Sequence, residues 1–155
     1  MKGDAGILKD LNELLTGELT AVDQYLAHSR MYRDWGYAKL FEQINHEMQE
    51  EQTHADALIE RILFLEGVPD LSSRLALNIG QNVPAMFRND LDVEYRVVAH
   101  LRRVIGNCET AGDYRTREIL LGLLKDTEDD HTHWLETQLH LIAQIGLQNY
   151  LQSQL

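Results

Sequence analysis

Apolar residues recur every three to four positions from about Ile7 to about Arg33, break at Asp34, Trp35 and Gly36, and resume from Ala38 to about Leu65. That period is helical, so it predicts two long helices joined by a tight turn. Glu66, Gly67, Val68 and Pro69 close the second helix, and Pro84 sits near the start of a third that runs from about Val83 to Thr110. A turn at Ala111, Gly112 and Asp113 reverses the chain into a fourth helix, which continues to about Ile145 and stops at Gly146. The stretch between Pro69 and Pro84 is too long for a hairpin turn and reads as a crossover, which makes the second and third helices parallel. Beyond Gly146, Leu147, Tyr150 and Leu151 keep helical spacing. A helix that short is unstable in isolation, so it must dock on its own bundle or on a neighbouring subunit. The expected architecture is all-α: a single domain over residues 1–155, with a four-helix bundle over about 5–145 and a short fifth helix over about 147–153.

The inward stripes of these helices are not purely apolar. The first reads Leu11, Leu15, Glu18, Val22, Tyr25, and the second Phe41, Ile44, Met48, Glu51, Ala55, Leu58, Ile62. The third reads Phe87, Leu91, Glu94, Val98, Leu101, Ile105, and the fourth Leu121, Leu124, Glu128, His131, Leu135, Ile142. Each helix therefore turns a glutamate toward the core. A buried carboxylate is costly unless neutralised, paired or metal-bound, and four together repel one another. No lysine or arginine occupies these stripes, whereas two divalent cations would balance four carboxylates. Glu51-Gln52-Thr53-His54 and Glu128-Asp129-Asp130-His131 are both Glu-x-x-His, which places both donors of each pair on one helical face. One such match carries little weight. Two matches, each about 33 residues after a lone stripe glutamate, suggest two halves of one pseudo-symmetric di-metal site.

Composition narrows the function classes. With 25 acidic against 14 basic residues, the net charge of −11 disfavours nucleic acid and favours cations. The single cysteine, Cys108, excludes an internal disulfide framework and a Cys-x-x-Cys module. The N-terminus leads into an amphipathic stretch, and charges interrupt every apolar run before it could span a bilayer. A cytoplasmic protein with no membrane or nucleic-acid partner is expected.

The chain resembles bacterioferritin and the related bacterial ferritins over essentially its whole length. The likeness lies in Leu15-Thr16-Gly17-Glu18-Leu19, Arg30-Met31-Tyr32 with Trp35-Gly36, and Arg61-Ile62-Leu63-Phe64-Leu65-Glu66-Gly67. It extends to Asn78-Ile79-Gly80, Trp134-Leu135-Glu136 and Gly146-Leu147-Gln148-Asn149-Tyr150-Leu151. The resemblance implies a ferritin-like bundle, a hollow shell of 24 copies, a di-iron ferroxidase centre in each bundle, and ferric mineral in the cavity. It also implies Glu18, Glu51, His54, Glu94, Glu128 and His131 as iron ligands, with Glu51 and Glu128 bridging, and an electron-donor protein for iron release. Bacterioferritins bind haem b between two subunits through a methionine directly after the second-helix ligand glutamate. Here that position is Gln52, which has no thioether, so a homopolymer without stoichiometric haem is expected. Met48, one turn away, falls in the inward stripe and reads as core.

Other residues carry two readings each. Tyr25 lies on the same stripe as Glu18, either as an electron donor to the centre or as a core tyrosine with a satisfied hydroxyl. His46, Glu47 and Glu50 form either an inner-surface iron site or a solvated face. His28, His100, His133 and His140 read as surface or packing residues. Asp126, Asp129 and Asp130 read as solvated residues or as supports for the ligands. Cys108 reads as a small buried hydrophobe, and Trp35 and Trp134 as packing at helix ends or interfaces. Two alternatives stand beside iron storage with O2 or H2O2 as oxidant. One is a haem-poor subunit that co-assembles with a haem-binding bacterioferritin subunit. The other is a di-iron oxidase or peroxidase acting on another substrate.

Overall fold

A computed structural model describes all residues, 1–155. Three long helices come first, α1 (Ala5–Asp34), α2 (Ala38–Phe64) and α3 (Val83–Ala111). The fourth rod is composite: α4 (Tyr114–Asp126), a π-helical segment (Thr127–Thr132) and α5 (His133–Ile145), followed by the short α6 (Leu147–Gln152). No helix is long and apolar enough to cross a membrane. The ends fall where the local chemistry sets them. Asp4 accepts from Ile7 N at 3.0 Å, Asn82 accepts from Ala85 N at 3.0 Å, and Asp113 accepts from Thr116 N at 3.0 Å, each satisfying a first-turn N–H. Gly112 ends α3 in the left-handed region at φ 71°, where a side chain would be strained.

Residues 65–82 are an extended crossover fastened along α1. Asp70 N donates to Asn12 Oδ1 at 2.8 Å, Leu75 N to Thr20 Oγ1 at 3.0 Å, Asn78 N to Gln24 Oε1 at 3.1 Å, and Gly80 N to His28 Nε2 at 3.1 Å. One polar stripe of α1 thus supplies acceptors to a strand-like segment that has no sheet to pair with. Because the crossover travels with α1 to its far end, α3 starts there and runs back antiparallel to α1, hence parallel to α2. Gly80 approaches the start of α3 closely: a Cβ there would lie 2.5 Å from Met86 N. His28 reads as a surface or packing residue in the sequence, and it is fully buried, with Nδ1 2.8 Å from Asp90 Oδ1, which also accepts from Gln24 Nε2 at 2.8 Å. Since Nε2 accepts from Gly80, Nδ1 carries the imidazole proton and donates it to Asp90.

A continuous apolar core runs between the helices, from Ile7, Leu11 and Leu65 at one end to Phe87, Tyr32 and Tyr150 at the other. The short α6 docks on its own bundle: Tyr150 is buried, donates to Gln138 Oε1 at 2.7 Å, and meets Phe87 edge-on with ring centroids 6.1 Å apart. Trp134 packs edge-on against the same Phe87 at 5.6 Å, while Trp35 sits half-exposed at the end of α1. Met48 and Cys108 belong to the core, and burial pushes the Cys108 thiol up to about 11.

The fourth rod differs from the sequence expectation. Its buried positions are Thr116, Leu120, Leu123, Thr127, His131, Leu135 and Gln138, whereas Leu121 is exposed and Leu124 half-buried. Stepping back from His131 at 3.6 residues per turn gives about 127, 124 and 120, so Thr127 and not Glu128 falls on the inward face. The wider π-helical turn over 127–132 carries the inward face back by a further fraction of a residue, so that Leu123 is buried and Leu124 only half-buried.

Candidate metal centre

Glu18 on α1, Glu51 and His54 on α2, Glu94 on α3 and His131 in the π segment meet at mid-bundle, all buried. His54 Nδ1 lies 3.3 Å from Glu51 Oε2 and 3.9 Å from Glu18 Oε1. His131 Nδ1 lies 2.7 Å from Glu51 Oε1 and 3.5 Å from Glu94 Oε1. The two imidazoles stack, with centroids 5.9 Å apart and planes 16° from parallel. The donor atoms fall into two groups, Glu18–Glu51–His54 and Glu51–Glu94–His131, each with its atoms within 4.8 Å of one another. Glu51 belongs to both and gives one oxygen to each.

The electrostatics show what these atoms lack. Both oxygens of Glu18, Glu51 Oε1, Glu94 Oε2 and His131 Nδ1 are buried with no conventional hydrogen-bond partner. Burial, then the negative charge of Glu51, holds the Glu18 carboxyl well above its usual range. Burial and the Glu51 charge push Glu94 up to about 7. Burial also pushes Glu51 up, but the neighbouring Glu18 carboxyl and the His131 and His54 imidazoles overcome it and hold this carboxylate well below the usual range. Burial works against a charge on His131, yet the carboxylates of Glu47, Glu51 and Glu94 outweigh it and raise its pKa. Protons on Glu18 and His131 thus perform the neutralisation that a pair of divalent cations would perform. Carboxylate and imidazole donors suit iron, manganese and zinc alike.

Around this centre, Tyr25 is buried and donates its hydroxyl to Glu94 Oε1, and burial together with Glu94 keeps the phenol protonated. His131 Nε2 points the other way, 2.7 Å from both Glu47 Oε2 and Glu50 Oε2, so these three form a further donor group. That group opens onto an acidic pocket of about 570 Å³ lined by His46, Glu47, Glu50, Asp129, Asp130 and His133. His46 itself is exposed and lies 3.2 Å from Glu50 Oε1. His133 and His140 are exposed and His100 half-buried, none of them at the centre. Gln52 lies on the exposed face of α2.

Glu128 is not brought to the cluster. Its carboxylate is about one-third exposed and pairs with Arg102 of α3. Helical phase is the physical reason: Thr127, four residues before His131, takes the inward position, and Glu128, three before it, turns to the flank. Asp126 reaches in from the preceding turn instead, with Oδ2 3.1 Å from His54 Nε2. The sequence held one signal of this displacement, since Glu94 and Glu128 are separated by one residue more than Glu18 and Glu51.

Comparison with known proteins follows the same lines. Residues 8–145 match the model of the ferritin-like domain. Over 155 residues the chain is 56% identical to a bacterial ferritin of Synechocystis sp., covering 100% of this chain and 99% of that protein. It is 54% identical to a bacterial ferritin of Neisseria meningitidis serogroup B over the full length of both. Identity to a bacterioferritin of Brucella melitensis is 43% over 150 residues, covering 97% of this chain and 92% of that one.

Proposed function

This chain belongs to the ferritin family, and from that premise we propose that it stores iron, oxidising Fe(II) at the mid-bundle centre and passing Fe(III) to a mineral inside a hollow shell of 24 copies. The observation that carries the reading is the set of buried donor atoms without hydrogen-bond partners around Glu51, an arrangement that two cations would complete. Glu18, Glu51 and His54 hold one ferrous ion and Glu51, Glu94 and His131 the other. Glu128 joins as the sixth ligand by exchanging Arg102 for metal. Two ferrous ions together surrender two electrons, reducing O2 to H2O2 or H2O2 to two waters with uptake of two protons.

The protein's own part is positional and protonic. Glu18 must lose the proton that suppresses its repulsion with Glu51, and His131 must release the proton from Nδ1 while Glu47 and Glu50 retain the one on Nε2. Tyr25 holds Glu94 in place. Acting as a one-electron donor, it would pass its phenolic proton to that carboxylate as the electron leaves. The pocket beside Glu47, Glu50 and His46 lies on the other side of His131 from the centre and gives Fe(III) an acidic route out, with these residues as an inner-surface iron site.

Gln52 leaves the haem position without a sulfur ligand, so the homopolymer carries no stoichiometric haem b, and co-assembly with a haem-binding bacterioferritin subunit would restore it. Release of stored iron requires an electron-donor protein, and the setting is cytoplasmic. The test is aerobic Fe(II) oxidation followed by absorbance beside gel filtration. Wild type should oxidise two Fe(II) per subunit rapidly and elute with an iron core as a particle of 24 subunits. Glu18→Ala with Glu94→Ala should elute alike but lose the rapid phase. Rapid oxidation retained in that variant, or a wild type that elutes as monomer, would overturn the reading.

A further inference from the structure

The geometry points to Asp126 as a positioning residue that selects the metal-binding tautomer of His54, an inference that rests on the di-metal reading of the centre. His54 crosses the bundle interior between two acidic environments. Its Nδ1 faces Glu51 Oε2 at 3.3 Å and Glu18 Oε1 at 3.9 Å, and its Nε2 faces Asp126 Oδ2 at 3.1 Å. A neutral imidazole carries one proton and offers one lone pair. If the proton sits on Nδ1 it is shared with Glu51, and no lone pair faces the Glu18–Glu51 group. If it sits on Nε2 it is donated to Asp126, and the Nδ1 lone pair points at ionised Glu51, which can only accept, and at Glu18, which lies beyond hydrogen-bond reach at 3.9 Å. That second arrangement makes no hydrogen bond on the inner side and is useful only to a cation.

Asp126 supplies the alternative acceptor that keeps Nδ1 free. Carboxylates in this relation to a ligating imidazole fix its tautomer, orient the ring and raise its basicity. The π-helical segment makes the contact. Asp126 is the last residue of α4, and in the π-helical turn that follows Thr127 faces inward and Glu128 lies beside Arg102 while Asp126 reaches His54. His131 has the same two-sided arrangement, Nδ1 inward and Nε2 on Glu47 and Glu50, so both site histidines are held by carboxylates on their outer nitrogens. Asp126 itself is about half exposed, so its replacement leaves the apolar core untouched.

The experiment uses anaerobic Co(II) as the probe, read by visible absorption titration and by anomalous diffraction from crystals at limiting Co(II). Wild type should show cobalt at both donor groups. Asp126→Ala should lower affinity at the Glu18–Glu51–His54 group by about 10- to 100-fold and leave the Glu51–Glu94–His131 group occupied. Asp126→Asn, whose amide oxygen still accepts from Nε2–H, should recover part of that loss. Equal occupancy of both groups in Asp126→Ala, or equal loss at both, would overturn the role assigned to Asp126. Cobalt absent from both groups in wild type would instead remove the di-metal reading itself.

Discussion

Replacing Glu94 by Gln separates the two demands on the centre, since it removes a charge the fold must bury and a donor the metal must have. Glu94 is fully buried, and burial with the charge of Glu51 pushes its pKa up to about 7 from 4.5. A carboxyl raised in the folded state contributes stability that is fully present below the unfolded value and is lost as pH rises through the folded value. Each pH unit between the two is worth about 1.4 kcal/mol, so ionised Glu94 costs the metal-free protein about 3 kcal/mol at pH 8. The Glu94→Gln variant escapes that cost. In excess chelator at pH 8 it should unfold about 6 to 12 °C higher than wild type, at about 2 to 4 °C per kcal/mol for a chain of this size. At pH 5 the advantage should shrink to under about 1 kcal/mol, because Glu94 is then protonated in the folded protein. Co(II) at a hundredfold excess over its Kd should add about 2.7 kcal/mol per site to wild type and less to the variant. The assay is thermal unfolding by circular dichroism at one fixed scan rate, with and without metal. A variant less stable than wild type in chelator at pH 8 would refute the reasoning, because it would mean that protein groups alone compensate the Glu94 charge.

Three further outcomes follow from the same geometry. Loading the centre anaerobically at pH 6 should release about three protons per pair of cations, from Glu18, Glu94 and His131, measured by pH-stat; no net release would mean that these groups are not protonated beforehand. Arg102→Ala should raise Co(II) affinity by roughly two- to fivefold, the worth of a part-exposed ion pair competing for Glu128, and unchanged affinity would remove Glu128 from the ligand set. His28→Ala leaves Asp90 without its imidazole partner and Gly80 N–H without an acceptor, and should cost about 3 to 5 kcal/mol. Limited proteolysis should then cut within residues 68–80, and a wild-type cleavage pattern with unchanged thermal stability would show that the crossover is held by other means.

The helices were legible because apolar periodicity over some thirty residues needs no tertiary information, and the crossover because two prolines and its length exclude a hairpin. Four inward glutamates and two Glu-x-x-His pairs likewise marked the centre, and the structure gathers Glu18, Glu51, His54, Glu94 and His131 there. The placement of Glu128 is not legible in the Glu-x-x-His spacing, since positions three and four residues before His131 lie about 60° and about 40° to either side of its face, and the motif does not show that Thr127 takes the inward one. Asn12, Thr20, Gln24 and His28 went unrecognised as the crossover's anchors for a related reason. Their partners are backbone N–H groups far along the chain, which no side-chain pattern displays. Asp126 was one of three neighbouring aspartates, and only the phase of the π turn distinguishes it from Asp129 and Asp130, which line the outer pocket.

In the proposed function, buried acids at mid-bundle remain ionised by holding a pair of ferrous ions. Crystals soaked anaerobically in Fe(II) and measured on both sides of the iron absorption edge test it directly. Two iron peaks about 3.5 to 4 Å apart, one on each side of Glu51, are the predicted result. Density lacking iron between Glu18, Glu51, Glu94 and the two histidines, with those carboxylates unmoved, would contradict it.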